Sequence, residues 1–483
     1  MGTRSAIRGV AAAVLLSASV GAGMAQGKPA PSTARETLEK AGAYFRDHLG
    51  VGGTYVWKYG VDGNIRRGEG GEVSPTLGWV QPPGTPAVGA AFLRIYDVTG
   101  DTQWLDAARI VARALVRTQL LSGGWFQAIE TDPERSQRWC YRLEIAAGQR
   151  CKEGEPDRNK SILDDNNTQS VMNFLMWFDR AAGATEPDVR AAIDYGLKRL
   201  MAAQYRNGAF PAAYSEKAPG AEQDVAPRAS LPAEWPRVWQ KPDSPPYFIT
   251  NDNLQRDMGR LFLNAFRTYR NPAYLQTAMK IGDFLVAAQL PAPQQGWAQT
   301  YDQSLQPVWG RKFEPPALAS SETAGNIEYL VELHEQTSKA RYLETAAAAA
   351  EWLDSVRLPD GPWARFYELR SDRPLYVDPD YKITYDDQKL PDHYTLRSDF
   401  GIPRVFDRLR TSRRGGNPAP TGFWVNRADA MDREELAAEA QRLSDQLDGE
   451  GRWVDAGWID GAAFVDGVFV LARLMTLSSE ADN

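Results

Sequence analysis

Apolar residues recur at helical spacing along most of this chain, and the recurrence itself repeats. In the stretch "YDVTGDTQWLDAARIVARALVRTQLLSGGWFQ", Trp104, Leu105, Ala108, Ile110, Val111 and Leu115 follow a helical period, and a Gly-aromatic turn closes the unit. Similar units are "FDRAAGATEPDVRAAIDYGLKRLMAAQYRNGAFPA", "YRNPAYLQTAMKIGDFLVAAQLPAPQQGWAQTY" and "HEQTSKARYLETAAAAAEWLDSVRLPDGPWARFY". Each predicts a helix, a short turn, a second helix, then Gln-Leu or Gln-Tyr and a Gly-aromatic turn, or a degenerate form of that ending. Degenerate copies flank them in "KAGAYFRDHLGVGGTYVW" and "RLSDQLDGEGRW". Repeated helical hairpins bury their faces on their neighbours and either curve into an open solenoid or close on themselves. We expect an all-α fold, an (α/α) toroid or barrel of helical hairpins with irregular insertions. Three segments break the rhythm: residues 131–161, the Pro- and Ala-rich insertion 215–246, and the Tyr- and Asp-rich stretch 369–400. Loops on a rigid helical scaffold are where chemistry is usually placed.

The first 25 residues differ in kind. Arg4 and Arg8 precede the apolar run "GVAAAVLLSASVGAGMA", which has the form of a secretory signal with cleavage expected near Ala25. Residues 1–25 are therefore expected as signal peptide and 26–483 as one catalytic barrel domain, secreted or periplasmic and monomeric. No later stretch was expected to supply the roughly 20 apolar residues of a membrane span. Cys140 and Cys151 lie in one polar segment, and an exported pair so close is expected to form a disulfide. The three histidines, His48, His334 and His393, have no zinc-ligand spacing. A net charge of −7 argues against nucleic acid as a partner, so an acidic ligand must be met by local cations. With 15 Trp, 19 Tyr and 17 Phe there is ample aromatic surface for a sugar-stacking groove, although most such rings belong to a core.

Two polar clusters stand immediately before predicted helices. "ILDDNNTQSVMNFLMWF" places Asp164, Asp165, Asn166, Asn167 and Thr168 at one helix start, and "YFITNDNLQRDMGRLFL" places Thr250, Asn251, Asp252 and Asn253 at another. Capping a helix needs one such residue. A row of hard oxygen donors at equivalent points of successive repeats suits Ca²⁺, with Asp164, Asp165 and Asp252 as metal ligands and Asn166 on the substrate. In "VWGRKFEPPALASSETAG", Trp309, Arg311, Lys312 and Glu314 sit on a proline-stiffened loop before a third helix. A rigidly held Arg beside calcium ligands suits a carboxylate-bearing substrate. The alternative is a surface Arg paired with Glu314 or Glu322.

The motifs "WVQPPGTPAVGAAFLRIYDVTGD", "SGGWFQAIE", "LDDNNTQ", "AAQYRNGAFP", "ITNDN", "GWAQTYD", "WGRKFEPPALASSETAG" and "WARFYE" resemble, in order, those of the family 10 polysaccharide lyases, the pectic acid lyases. The resemblance spans about residues 38–405, with C-terminal helices completing the barrel. It implies an (α/α) barrel, Ca²⁺ as cofactor, and anti β-elimination on polygalacturonate. By motif it assigns acidic substrate and calcium positions to Asp165, Asn166 and Asp252, the carboxylate-binding arginine to Arg311, and the catalytic base to Arg397 in "HYTLRSDFG", with His393, Arg373 and Arg370 as other candidates in the late loop. Lys312 and Trp309 are expected on the substrate. Two other chemistries fit the same scaffold: a hydrolase using Asp164 and Asp252 as acid and base, or a non-catalytic binder of acidic polysaccharide.

Overall fold

The computed structural model describes residues 31–155, 157–215, 226–239, 248–388, 390–391, 394–416 and 421–481. The expected signal peptide and His393 lie outside the described residues.

The helices are α1 (Pro31–Tyr44), α2 (Thr85–Thr99), α3 (Thr102–Arg117), the short α4 (Arg142–Ala146), α5 (Asn167–Ala181), α6 (Pro187–Ala203), α7 (Leu254–Tyr269), α8 (Pro272–Ala288), α9 (Ser320–Thr337), α10 (Ala340–Ser355), α11 (Ile402–Arg413), α12 (Arg433–Gln446) and α13 (Gly461–Ala481). Their ends follow local chemistry. Gly100 takes the left-handed conformation that ends α2, Asp101 accepts the Gln103 amide to start α3, and Asn271 with Pro272 starts α8.

Six helices pack in sequence as an inner ring, α13 on α2, then α5, α7, α9 and α11, while α1, α3, α6, α8, α10 and α12 pack outside them. This is the expected toroid. Between α11 and α13 the ring is filled by residues 421–430, whose last turn packs on α13. By length and composition α13 could cross a bilayer, contrary to the reading of the sequence; its apolar residues are instead used in the ring, where Phe464, Val468 and Leu471 are buried.

The repeat signature has a structural cause. In four units the turn tryptophan donates its indole N–H to a carbonyl in the preceding outer helix: Trp125 to Leu115, Trp297 to Leu285, Trp363 to Leu353 and Trp453 to Leu443, at 2.8–2.9 Å. The Gln before each turn does more. Gln119 donates to Gly123 O in its own turn and to Ala192 O in α6; Gln204 donates to Gly208 O and to Thr277 O in α8; Gln289 donates to Gln295 O and to Thr345 O in α10. One carboxamide thus joins α3 to α6, one α6 to α8 and one α8 to α10.

The disulfide Cys140–Cys151 is formed. The stretch 369–400 carries short strands rather than helices. The described part of the 215–246 insertion lies over the loop before α9: Trp239 Nε1 donates to Gly310 O, and Trp309 Nε1 donates to Pro236 O.

Inside the ring, Arg256 and Arg260 of α7 meet Glu328 and Glu332 of α9, and Arg404 and Arg408 of α11 approach the same carboxylates. Burial alone would raise the Glu328 carboxyl, but Arg260, Arg256 and Arg404 hold it down to about 2. This lumen is polar, which the apolar periodicity did not signal.

Gln119 is fully buried and also accepts from Arg142 Nε. Gln119→Met keeps its length but strands two carbonyls and one guanidinium N–H, so the urea midpoint should fall by a stability of roughly 1–3 kcal/mol or more. An unchanged midpoint would remove the carboxamide bridge from the account of the fold.

Candidate functional site

The two acidic clusters share one unusual backbone. Asp165 and Asn166 have φ of 50° and 56°, and Asp252 and Asn253 have 48° and 60°, so the same left-handed pair precedes both α5 and α7. Such conformations are costly for residues with a Cβ and are borne best by Asn and Asp. The capping alternative fails here, because neither Asn166 nor Asn253 makes a side-chain cap hydrogen bond. The turns are held from below instead: Gln169 Nε2 donates to Leu163 O and Gln255 Nε2 to Ile249 O.

This backbone turns the carboxylates toward one another. Oxygens of Asp164, Asp165 and Asp252 all lie within 4.8 Å. Asp164 Oδ1 and, on the residue beside Asp252, Asn251 Oδ1 are buried without a hydrogen-bond donor. Burial and the charge of Asp165 push Asp164 up to about 6, against the pull of Arg311. Burial, then Glu322, Asp164 and Asp165, push Asp252 up to about 7. Three mutually repelling carboxylates and these orphaned oxygens fit a hard divalent cation, for which oxygen is the preferred donor. Asp164, Asp165 and Asp252 are the residues that could hold it.

Arg311 is the cation beside this cluster. Its Nη2 is 3.6 Å from Asp252 Oδ2. Glu314, almost fully buried, receives the Arg311 backbone N–H, Nε–H and Nη2–H at 2.6–2.8 Å, so the guanidinium is fixed in direction. The pairing with Glu314 foreseen as an alternative is therefore real and serves to aim Arg311. A Cβ at Gly310 would stand 2.6 Å from Glu314 Oε2, which accounts for glycine there. Burial works against the Arg311 charge, yet the Glu314 hydrogen bonds and charge, with Asp252, raise its pKa above the usual guanidinium value.

A second buried set adjoins it, unassigned in the sequence. Arg365 Nη2 donates to Glu322 Oε1 at 3.0 Å, and Gln299 Nε2 donates to the same oxygen and to Tyr394 Oη. Tyr394 in turn reaches Glu314 Oε1 at 3.4 Å, and the Arg365 guanidinium lies 4.3 Å from the Tyr394 ring centre. Arg365 sits inside the quoted "WARFYE" motif; the signal that could have found it is a buried arginine at a repeat's Gly-Trp turn.

Other expectations need correction. Arg397 is not at the cluster: its guanidinium pairs with Asp360 and Asp387. The reason is register, since Arg397 lies opposite Ala364 in a strand pair, and side chains alternate, so Arg365 takes the inward face and Arg397 the other. Trp309 is buried with its indole N–H on Pro236 O, so its ring packs under the insertion instead of offering a face to a sugar. Lys312 Nζ lies 3.5 Å from the Tyr381 ring centre. Arg370 donates to Pro232 O and Arg373 lies over Tyr385. Asn166 lines a cavity beside the cluster.

The model of the pectic acid lyase family matches residues 262–362, from within α7 to the residue before the Trp363 turn of the fourth repeat unit. It is the family whose motifs the chain resembles. Similar solved structures include a family 10 polysaccharide lyase from Cellvibrio cellulosa, 17% identical over 68% of this chain and 97% of that one with a TM-score of 0.45. A mutant of it in complex with trigalacturonic acid is 16% identical over the same shares with a TM-score of 0.44. An unsaturated glucuronyl hydrolase specific for heparin is 10% identical over 93% of this chain and 99% of that one with a TM-score of 0.46. A comparison with curated protein sequences gave no match.

The raised carboxyls give a signed pH dependence. A carboxyl whose folded pKa lies above its unfolded value favours folding fully below the unfolded value, and that contribution is lost as pH rises through the folded one. For Asp252 the loss runs from about pH 4 to about 7. In chelator, Asp252→Asn should melt higher than the parent at pH 8, with the gap closing by pH 4. Millimolar calcium should reverse the order at pH 8. A parent that melts higher in chelator at pH 8 would contradict the repulsion.

Proposed function

We propose that the protein is a secreted or periplasmic polysaccharide lyase, a monomer that cleaves polygalacturonate by calcium-assisted anti β-elimination and leaves 4,5-unsaturated galacturonides. The observation that carries this reading is the convergence of Asp164, Asp165 and Asp252 from two helix entrances, with Arg311 held by Glu314 at 3.6 Å from Asp252. The match to the pectic acid lyase model supports it.

In a uronate the C5 proton lies next to a carboxylate. Calcium held by Asp164, Asp165 and Asp252 would bind that carboxylate, acidify the C5 proton and offset the part of the acidic field at Arg311 that comes from Asp252, leaving the Glu314 pairing in place. Arg311, expected from the sequence as the carboxylate-binding arginine, is the one aimed at the cluster by Glu314, and the base role passes to it from Arg397. Once Arg311 has released its own proton to solvent at alkaline pH it takes the C5 proton, the C5–H electron pair becomes the C4–C5 double bond, and the C4–O bond breaks toward the leaving sugar, whose oxygen gains a proton from water. Arg365, held by Glu322 near Tyr394, gives the groove a second positive charge for the sugar carboxylates. Asn166 supplies amide contacts at the rim.

One observation favours a second reading. Carboxyls raised to about 6 and 7, as Asp164 and Asp252 are, suit general acid–base hydrolysis. Their mutual closeness and the orphaned oxygens fit cation binding better, and the products distinguish the two.

Purified mature protein on polygalacturonate at mildly alkaline pH should generate the ultraviolet absorbance of unsaturated uronate, rising with calcium and stopping with chelator. New reducing ends without absorbance would favour the hydrolase. Arg311→Ala should lose about 10²–10⁴-fold in kcat, the span of a general base, while Arg397→Ala stays within about tenfold of the parent, less than such a role allows. The opposite ranking would return the base to the late loop.

A further inference from the structure

Below the acidic cluster the inner ring encloses a cavity of about 220 Å³. Its mouth is set by Pro82 and Asn166, next to Asp165. Two polar stripes line it: Ser170 and Asn173 follow Asn166 along α5, and Arg256, Arg260 and Asn264 follow one another at four-residue spacing along α7. These intervals put each set on one helix face. Both faces are turned inward, since Ser170, Asn173 and Asn264 are all buried. From Asn166 to Asn173 the helix rises about 10 Å at 1.5 Å per residue. That depth suits one sugar ring entering edge-on.

The far end is shut. Residues 421–425, between α11 and α12, cross the ring there: Arg267 donates to Thr421 O, Asn264 Nδ2 donates to Gly422 O and to Asn173 Oδ1. Phe423 stacks on Trp177 at 6.4 Å between ring centres, with the Arg180 guanidinium 4.9 Å away on its ring. Trp424 completes the lining. This strap lies outside the residues that match the family model. Amides, a hydroxyl and an indole, beside Asp257 and guanidinium groups paired with Asp257, Glu328 and Glu332, offer the polar and aromatic surface that suits a polyhydroxylated ring. A polymer cannot thread through a cavity closed at one end.

We propose that this cavity is a blind subsite for the terminal uronate of the polysaccharide, so that the enzyme cleaves from a chain end. The proposal rests on the lyase reading above. It predicts a fixed distance between the blind end and the acidic cluster, and so a product of one length.

The test follows polygalacturonate digestion by absorbance, viscosity and product sizing together. One short unsaturated product from the first time points, with viscosity falling only in proportion to bonds cut, is the expected result. Rising absorbance with a broad ladder of products and an early collapse of viscosity would overturn the blind subsite and leave the lyase intact. No absorbance under any calcium concentration would overturn the lyase reading and this inference with it. Ser170→Leu and Asn173→Leu fill the cavity from α5. Whichever variant keeps the parent's near-ultraviolet dichroism should raise KM for trigalacturonate at least tenfold; an unchanged KM in a folded variant overturns the proposal.

Discussion

The fold depends on one bridging carboxamide, placed three times. A helix that ends inside a protein leaves carbonyls without partners, and a buried carbonyl must be satisfied. Gln119, Gln204 and Gln289 each reach two carbonyls, because one NH₂ group carries two hydrogens: one goes to the turn that follows its helix, the other to a carbonyl in the first half of the next outer helix. The bridge sets the spacing and tilt between successive hairpins. With four indoles pinned to their own outer helices, it makes the turns that carry these bonds rigid corners. The chain leaves each corner at a defined place and enters the next inner helix from there, which is why two acidic entrances separated by a whole repeat can converge.

Rigidity at the corners is what lets the site hold strain. Two left-handed pairs and three close carboxylates are each unfavourable, and they persist because the surrounding structure over-determines them. Gln169 and Gln255 grip the backbone beneath the two turns, Thr250 Oγ1 donates to Ala298 O, and the described part of the 215–246 insertion clamps the Arg311 loop from outside through Trp239 and Trp309. The insertion, which reads as an interruption of the repeats, is thus a buttress. Trp309 is buried by it, and that burial is the price of holding Gly310 and Glu314 close enough to fix Arg311.

Much of this was legible in the sequence, for definite reasons. Helical periodicity and punctuation by Gly and Pro marked the hairpins, and equivalent placement of Asp164–Asn167 and Thr250–Asn253 in successive repeats marked the acidic mouth, because both signals are local. Arg397 misled for a reason equally definite. Motif order located it on the strand paired with the correct one, and only the pairing of Ala364 with Arg397 reveals that the neighbouring Arg365 faces inward. Trp309 misled because exposure depends on residues 70 positions away. The apolar composition of α13 speaks of burial without saying whether lipid or protein provides it. The polar lumen was hidden because its charges are distributed over three helices far apart in sequence.

That lumen gives the toroid two different kinds of cohesion. The outer corners are joined by neutral hydrogen bonds and apolar packing, whereas three neighbouring inner helices, α7, α9 and α11, are joined by Arg256, Arg260, Arg404 and Arg408 around Glu328 and Glu332. An apolar centre would fill the ring equally well, and buried ion pairs are weak evidence of added stability. A polar centre has another consequence: it lets water-compatible space persist between α5 and α7 instead of collapsing to close packing. Arg260 is held on both sides by carboxylates, so it can line a cavity without being an unpaired buried charge, and Asn173 and Asn264 bond to each other, so they can do the same. The ion network thereby stabilises a cavity in the position where the acidic entrances converge. The strap at residues 421–425 then decides its depth, and depth is the variable by which one ring of helices can serve either the middle or the end of a polymer.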